Sequence, residues 1–376
     1  MRGHFSFKSR SSLLLAKKSR LRRKLLDWYH HNRRDLPWRD SHDVYAIWIS
    51  EVMLQQTQVQ TVIPFFRSFL EAFPNFQALA DANPQDLLRA WAGLGYYARV
   101  RYLQKTAREI VKNHGGRFPS EHRDLLGLPG IGRYTAGAIL SIAFNRPYPV
   151  VDGNVTRVLS RLFLLTEDSQ TSKFKENLWN LAGQLLSRKS PGNFNQALME
   201  LGATICSPRS PACLLCPWSS ECLARQEGVE DQLPRKTVRP GRVESQQAVA
   251  IVGHQGRYLI VKRKGVRVLC DFWEFPGYES RRTGELKRSL VSRIRRDLGL
   301  KIHVKEKLVT VKHIITKHRI TVHAYLAELN PSERRLTRRG NARWVRLSEI
   351  ERYPFGSAST DILNALKKRV ESGYSI

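Results

Sequence analysis

The sequence lacks several features that mark membrane and secreted proteins. No apolar run approaches the roughly 18 residues that a membrane-spanning helix needs. No apolar segment precedes a small-residue cleavage site, as it would in a secretory leader. Only five cysteines occur among 376 residues, and four of them crowd between positions 206 and 222, unlike a disulfide framework. These absences predict a cytoplasmic protein that does not bind membranes.

Acidic residues are scarce relative to basic ones. The chain has 33 Asp and Glu against 63 Lys and Arg, a formal net charge of +30. Residues 1–24 hold nine basic residues and no acid, residues 246–376 hold 28 basic against 12 acidic, and the middle is nearly balanced. Such an excess favours nucleic acid as partner, with a membrane surface or the ribosome as alternatives. We interpret residues 1–24 as a basic N-terminal segment that leads into a helix, with an organelle transit peptide as the alternative.

The pattern of apolar residues divides the chain into two domains. Over 25–228 apolar residues recur at three- and four-residue steps, and Pro or Gly turn signals separate stretches of helical length, which predicts an all-α domain of eight or more helices. A linker rich in Pro, Gly and charge follows over 229–245. Beyond it, β-rich runs and two helical stretches predict an α+β domain over 246–369. These runs lie at 248–252, 258–261 and 320–326, with helices near 286–298 and 360–369.

Four closely spaced cysteines are the most specific local motif in the sequence. The spacing C-x6-C-x2-C-x5-C places them at Cys206, Cys213, Cys216 and Cys222. Four thiolates so close together can enclose either one tetrahedral zinc ion or one cubane iron–sulfur cluster. A paired zinc ribbon would have two C-x2-C knuckles, and this stretch has one. The spacing predicts a metal centre and leaves the metal open.

A glycine-containing turn is a candidate anion site. Residues 128–137 have the sequence Leu-Pro-Gly-Ile-Gly-Arg-Tyr-Thr-Ala-Gly, in which Gly130 and Gly132 permit a sharp turn. The helix that follows would aim N–H groups at an anion such as a DNA phosphate. An ordinary turn between helices has the same pattern.

Two carboxylates are candidates for acid–base chemistry. Glu51 lies in an apolar helical segment that would raise its pKa and keep it available as an acid. Asp152 precedes Gly-Asn-Val, where it would cap a helix whose N-terminus holds it ionised. One acid and one anion is an arrangement used in glycosidic cleavage. A surface or ion-paired Glu51 and a purely structural cap at Asp152 are the alternatives.

Together these segments resemble the helix–hairpin–helix DNA glycosylases that carry a [4Fe–4S] cluster. The resemblance rests on the Pro-Gly-Ile-Gly turn, on 151–155 (Val-Asp-Gly-Asn-Val) and on the cysteine spacing. Within that group, 50–59 (Ser-Glu-Val-Met-Leu-Gln-Gln-Thr-Gln-Val) and 93–99 (Gly-Leu-Gly-Tyr-Tyr-Ala-Arg) look like the adenine DNA glycosylases of the MutY type. The resemblance covers 25–228. It implies a monomeric enzyme that removes adenine mispaired with 8-oxoguanine or guanine from double-stranded DNA, with a [4Fe–4S] cluster on the four cysteines.

The resemblance also implies catalytic roles. Glu51 would protonate N7 of an adenine flipped out of the duplex, and Asp152 would stabilise the oxocarbenium-like sugar. Tyr134 and Asn154 would assist. In the related endonuclease III group a Lys stands where this chain has Tyr134, attacks the sugar carbon as an amine and then nicks the strand. Because a phenol cannot form that imine, we expect a monofunctional glycosylase.

Further residues match positions that bind adenine or DNA in the family. Trp38, Arg39 and Glu200 match the lining of the adenine pocket. Gln56 and Tyr96 match residues that wedge into the base stack. The alternatives to this function are a bifunctional glycosylase/lyase for oxidised pyrimidines and a non-catalytic DNA-binding iron–sulfur protein.

The C-terminal domain resembles the Nudix-like domain of the same family. Residues 292–300 (Ser-Arg-Ile-Arg-Arg-Asp-Leu-Gly-Leu) have arginines where a Nudix hydrolase has Mg²⁺-binding carboxylates, so we expect no metal-dependent hydrolysis. In the family this domain recognises 8-oxoguanine, in some members through a Phe-Ser-His motif. Here Thr316 with Lys317 or, in a register shifted by one residue, His318 would take that place. A plain surface loop is the alternative.

Overall fold

The computed structural model describes residues 14–39, 41, 43–237, 243–263, 270–280, 286–315, 318–330 and 341–373. They fall into two compact units. The first comprises Met1–Asp81 and Tyr102–Val238, and the second comprises Ala82–Arg101 and Arg239–Ile376. None of the helices in these described ranges is both long and apolar enough to cross a bilayer.

The described residues between 25 and 228 are mostly helical, as predicted. In chain order its helices are α1 (Lys18–Asn32), α2 (Val44–Leu54), α3 (Val59–Ala72), α4 (Phe76–Asp81), α5 (Pro84–Ala90), α6 (Ala98–Asn113), α7 (His122–Gly127), α8 (Arg133–Ile142), α9 (Gly153–Leu162), α10 (Ser172–Leu185), α11 (Pro191–Thr204) and α12 (Leu223–Glu227). All of α5 and the first turn of α6 belong to the second unit.

Local sequence explains where several of these helices begin. Asp43 caps α2 by accepting a hydrogen bond from the Tyr45 N–H at 2.9 Å, and Thr171 caps α10 by accepting from the Phe174 N–H at 3.2 Å. Every residue of α2 from Tyr45 to Met53 is buried, so this helix runs through the interior of the first unit. Any polar side chain on α2 is therefore removed from water.

Helices α1, α9, α10 and α11 enclose an apolar core in the first unit. Leu21, Leu159, Leu178 and Phe194 each bring one helix into it. At Gly202 of α11 an added Cβ would lie 2.5 Å from Cβ of Asn154 on α9. The two helix backbones are thus packed as closely as sterics permit.

Within its described residues the second unit is built on a seven-stranded mixed sheet. The strands are β1 (Val243–His254), β2 (Arg257–Lys262), β3 (Trp273–Glu274), β4 (Gly277–Ser280), β5 (Ile302–Ile315), β6 (His318–Leu329) and β7 (Ala342–Arg346). Their order is β3-β2-β1-β6-β5, with β4 paired to β1 and β7 paired to β2. Strands β1 and β6 run parallel, and the other described pairs are antiparallel.

A helix covers each face of this sheet. Val249 and Ile251 of β1 pack with α14 (Ser357–Glu371), whereas Ala250 and Val252 point to the opposite face and pack with α13 (Leu286–Leu298). The order of an all-α domain followed by an α+β domain is confirmed. The segment 82–101 joins this unit through Tyr97, whose ring centroid lies 4.1 Å from that of Phe272.

Candidate active site

A cavity of about 760 Å³ lies in the first unit, between α2, α8, α9, α11 and the segment that follows α1. Its volume falls in the range of roughly 300–1,000 Å³ that is typical of small-molecule sites. The structure brings together around it most of the residues selected from the sequence, namely Trp38, Arg39, Glu51, Gln56, Gly130, Gly132, Tyr134, Asp152, Asn154 and Glu200.

Glu51 is buried in the wall of this cavity. It is 5% exposed, and its Oε2 accepts a hydrogen bond of 2.7 Å from the Tyr134 hydroxyl. Burial raises the pKa of Glu51 to about 7, the hydrogen bond from Tyr134 lowers it, and the charge of Asp152 raises it further. The direction is the one predicted from its apolar helix. At neutral pH this carboxyl group holds a proton in a substantial fraction of molecules.

Asp152 is the N-cap of α9. Its Oδ1 accepts from the Val155 N–H at 2.6 Å and its Oδ2 from Asn154 Nδ2 at 3.1 Å. Burial raises the pKa of Asp152, and the hydrogen bonds from Val155 and Asn154 and the charge of Arg157 only partly oppose that rise. Burial therefore sets the direction of the shift, and the expectation that the helix N-terminus keeps Asp152 ionised stays a prediction. Asp152 is a structural cap that also lines the cavity.

Tyr134, on the first turn of α8, connects the acid to α11. Its hydroxyl contacts Met199 Sδ at 3.3 Å in addition to Glu51. Burial, together with the charges of Glu51 and Asp152, raises the pKa of Tyr134 well above that of a free phenol. The side chain is a neutral hydrogen-bond donor at every ordinary pH.

Glu200 is ionised in a second polar cluster of the cavity. Arg34 donates to it through its backbone N–H, Nε and Nη2 at 3.0, 2.8 and 2.9 Å, and Arg39 donates through Nη2. Burial alone would raise the pKa of Glu200, but the hydrogen bonds from Arg34 and Arg39 outweigh it and lower the pKa to about 2. Nearby, the buried Trp38 ring meets Phe66 edge-on at 5.4 Å.

The side chains of this cavity that sequence reasoning missed include Arg34, Gln196 and Met199. Gln196 and Met199 stand four residues and one residue before Glu200 on α11. The four-residue spacing places Gln196 and Glu200 on one helix face, and that signal was available. Arg34 follows the end of α1 and had no such signal, because only the folded chain brings it to Glu200.

The turn between α7 and α8 has the geometry that its glycines predicted. Gly130 has φ +77°, and an added Cβ there would lie 2.6 Å from Cβ of Tyr102. Gly132 is the N-cap of α8 with φ −100°, and an added Cβ would meet nothing within 4 Å. Tyr102 packs against one side of the turn, and Gly132 faces open space.

The two residues predicted to insert into the base stack both have a left-handed backbone conformation. Gln56 (φ +56°) is exposed at the edge of the cavity. Tyr96 (φ +47°) belongs to the second unit and is 48% exposed, and its ring lies 5.6 Å from the Arg99 guanidinium. Non-glycine residues rarely adopt this conformation, and functional sites are where it recurs.

The structure describes only part of the segment predicted to recognise 8-oxoguanine, residues 316–318. Thr316 and Lys317 lie outside the described residues. His318 is half-buried as the first residue of β6, opposite Ile315 of β5 and Val243 of β1. On α13, the stretch with arginines in place of carboxylates is exposed at Arg293, Arg295 and Arg296.

The four clustered cysteines follow α11 and are half-buried free thiols. Burial, with a smaller effect of the neighbouring thiols, raises the pKa of Cys216 to about 12 and that of Cys222 to about 11. Backbone N–H groups, among them that of Trp218 toward Cys216, oppose this rise. Arg161 Nη1 lies 3.3 Å from Cys206 Sγ. Across the described ranges, no three His, Cys, Asp or Glu side chains are arranged to bind a single metal ion.

The fold and the cavity together define the class of protein. Residues 49–184 match the family model described as the HhH-GPD superfamily of base excision DNA repair proteins, and residues 247–365 match the NUDIX domain model. A solved structure described as a thermostable thymine-DNA glycosylase aligns with a TM-score of 0.52 and 28% identity, over 56% of this chain and 98% of that one. The helical part is thus that of a base excision DNA repair protein.

Curated relatives narrow the class to one family. The Homo sapiens adenine DNA glycosylase is 36% identical over 89% of this chain and 72% of its own length. That of Buchnera aphidicola subsp. Acyrthosiphon pisum (strain APS) is 38% identical over 68% of this chain and 74% of its own, and that of Schizosaccharomyces pombe (strain 972 / ATCC 24843) is 31% identical over 88% and 86%. The chain belongs to the adenine DNA glycosylases, a family of DNA N-glycosylases that act in base excision repair. The resemblance predicted from the motifs is confirmed.

Proposed function

We propose that this enzyme removes adenine from double-stranded DNA in which the adenine is mispaired with 8-oxoguanine or guanine, and that it leaves the strand unbroken. The observation that carries the proposal is the state of Glu51, a buried carboxyl with a pKa of about 7 in a cavity that Asp152 also lines. An acid that is partly protonated at neutral pH, beside a second carboxylate, is suited to glycosidic cleavage.

Protonation of the base is the first chemical step. The adenine must leave the duplex to reach the cavity, because its glycosidic bond is inaccessible in the stack. Glu51 gives its proton to N7, the bond between C1′ and N9 breaks, and its electron pair leaves with neutral adenine. The Tyr134 hydroxyl remains hydrogen-bonded to the carboxylate that Glu51 has become, which stabilises it.

Stabilisation of the sugar is the second step. Asp152, ionised and held in place by the Asn154 amide and the Val155 N–H, faces the positive charge at C1′. A water then adds to C1′ and its proton restores Glu51, so one water is consumed for each adenine released. Because Tyr134 has no amine, no imine forms with the sugar, which favours the monofunctional enzyme over the glycosylase/lyase alternative.

We assign adenine recognition to a second group of residues in the same cavity. Glu200 has a pKa of about 2 and is therefore a pure hydrogen-bond acceptor at working pH. An acceptor suits the exocyclic amino group of adenine. The buried Trp38 supplies an apolar surface, and Arg39 holds Glu200 in position.

We assign DNA recognition to the glycine turn between α7 and α8 and to two exposed residues. The N–H groups at the start of α8 and the open space at Gly132 suit a phosphate, and Gln56 and Tyr96 are the residues we assign to the base stack. We assign 8-oxoguanine recognition to the segment of Thr316, Lys317 and His318.

The four cysteines are proposed to hold a [4Fe–4S] cluster. A single zinc ion requires all sulfurs about 2.3 Å from one point. A cubane instead binds each thiolate to a separate iron, so its ligands stand further apart. The N–H groups directed at Cys216 and Cys222 and the cation of Arg161 suit thiolates of this kind. Such a cluster, when bound, crosslinks the loop and can exchange one electron. Broad visible absorbance with equal iron and sulfide would identify it, and stoichiometric zinc would refute it.

One assay tests the activity. Duplexes with adenine opposite 8-oxoguanine, adenine opposite guanine, or an oxidised thymine are incubated with the protein, and free adenine and strand breaks are measured before and after alkali. We expect adenine release from the first two duplexes, with breaks only after alkali. Breaks that form without alkali as fast as base loss would support the lyase, and binding with no base loss would support the non-catalytic protein.

A further inference from the structure

A second cavity of the first unit is strongly basic. It measures about 1410 Å³ and lies between α1, α10 and the segment that follows α10. We call it the basic cleft, and its cationic lining is Lys18, Arg22, Arg23, Arg133, Arg188 and Lys189. One acidic residue, Asp27, also lines it.

Most of these positive charges are not neutralised by the protein. Among the described residues, Lys18, Arg23, Arg188 and Lys189 form no ion pair with a carboxylate. Arg22 is held by carbonyl oxygens at the end of α10, with Nε 2.7 Å from that of Leu185. Burial, and then the positive charge of Arg188, lowers the pKa of Arg22. Like charges gathered in this way repel one another, and a bound polyanion would relieve that repulsion.

Arg133 connects the basic cleft to the active site, because it lines both cavities. It follows Gly132 directly and is the first residue of α8. Its guanidinium lies 4.2 Å from the ring centroid of Trp179, another residue of the cleft, and pairs with Glu176 at 3.0 Å. The basic cleft therefore begins where the glycine turn ends.

We propose that the basic cleft binds the phosphate backbone of the same duplex, beyond the part held at the glycine turn, so that bound DNA extends along α1 and α10. This inference rests on the proposed function, since it takes the turn as a DNA contact. The volume of the cleft exceeds the roughly 1,000 Å³ at the upper end of small-molecule sites, which favours a strand over a mononucleotide. The six cations come from α1, from the start of α8 and from the segment after α10, and that number suits several phosphates better than one.

The test compares two double variants of the full chain. R188A/K189A removes two exposed cations of the basic cleft, and K173A/K175A removes two exposed lysines of α10 that line neither cavity. Equilibrium dissociation constants are measured across a salt series with an undamaged duplex of about 30 base pairs and with one of about 10. Each cation that no longer neutralises a phosphate reduces the slope of log K against log salt by about 0.9.

We expect R188A/K189A to lower that slope by roughly one to two for the long duplex only, and to weaken binding about tenfold near physiological salt. K173A/K175A should match the wild type. Equal slopes for the two double variants would overturn the proposal. Saturable binding of inorganic pyrophosphate that R188A/K189A abolishes, with an unchanged DNA slope, would also overturn it in favour of a small-anion site. Adenine release by the wild type is scored separately, so a failure of the proposed activity is distinguishable from a failure of the cleft.

Discussion

The Tyr134 hydroxyl donates a 2.7 Å hydrogen bond to Glu51, joining residues that stand 83 positions apart in the chain. This bond favours the carboxylate form of Glu51, whereas burial favours the protonated form, and burial has the larger effect. The pKa of Glu51, the proposed proton donor, is therefore set by two opposing effects. The hydrogen bond from Tyr134 lowers it, and burial in an apolar helix raises it.

Tyr134→Phe should move the alkaline limb of the pH–rate profile to higher pH. Glu51 acts while protonated, so adenine release falls as pH rises through its pKa of about 7. Removing the phenol removes a bond that lowers this pKa, and the pKa of Glu51 therefore rises. Single-turnover rates across a pH series measure the limb. Tyr148→Phe, which removes a phenol outside the cavity, is the control, and an unshifted limb in Tyr134→Phe would contradict the assignment.

Glu51→Gln should strongly reduce the rate of adenine release while preserving DNA binding. The amide keeps the shape and can still accept the hydrogen bond of Tyr134, but its N–H protons are far too weakly acidic to protonate adenine. We expect a loss of about 10²–10⁴-fold in the single-turnover rate, the usual contribution of a general acid. Glu71→Gln removes a carboxylate from the exposed face of α3 and should behave as wild type. A Glu51→Gln enzyme with a near-normal rate would remove Glu51 from the mechanism.

Arg39→Met should destabilise the protein at neutral pH by about 2 kcal/mol, because it removes one of the two arginines that neutralise the buried charge of Glu200 and leaves Arg34 as the remaining partner. The pKa of Glu200 is lowered to about 2, so its contribution to stability is present above the ordinary pKa of 4.5 and is lost as pH falls from there toward 2. The difference in unfolding free energy between wild type and Arg39→Met should therefore shrink in acid. Denaturant titrations at several pH values measure it.

The matched control for that prediction is Arg20→Met. Arg20 is 57% exposed where it pairs with the buried Glu221 at 3.3 Å, and Lys24 remains as a partner of Glu221 at 2.8 Å, so we expect a cost of at most about 1 kcal/mol. A cost in Arg39→Met no larger than in Arg20→Met, or a difference that does not vary with pH, would show that the cluster around Glu200 does not act as described.

Gly130→Ala should lower stability, and Gly132→Ala should not. At Gly130 the new Cβ would collide with Tyr102 and stand at φ +77°, so we expect a cost of about 1–3 kcal/mol. At Gly132 the new methyl group enters open space at an ordinary φ. Thermal unfolding measures both variants. Equal unfolding midpoints for the two would contradict the packing seen at the turn.

Much of the fold could be predicted because its signals are local. The strand runs near β1, β2 and β6 and the helix at α13 lie where apolar period and turn residues indicated them. Strand β5 had no such signal, because its segment Val-Lys-Glu-Lys-Leu is largely exposed and charged. The association of 82–101 with the second unit depends on Tyr97 and Phe272, which are far apart in the chain.

The residues of the site could be predicted from the sequence where they lie in a recognisable motif. The rise in the pKa of Glu51 followed from the apolar residues around it. The pKa of Asp152 did not follow, because the depth to which a helix cap is buried is a tertiary property. Arg34 was missed for the same reason, since its role exists only where two distant segments meet at Glu200.

The close approach at Gly202 has a consequence for the geometry of the cavity. It fixes the gap between α9, which bears Asp152 and Asn154, and α11, which bears Met199 and Glu200. A side chain larger than glycine at position 202 would push apart the two helices that carry Asp152 and Glu200, and the spacing of these two carboxylates would change with it.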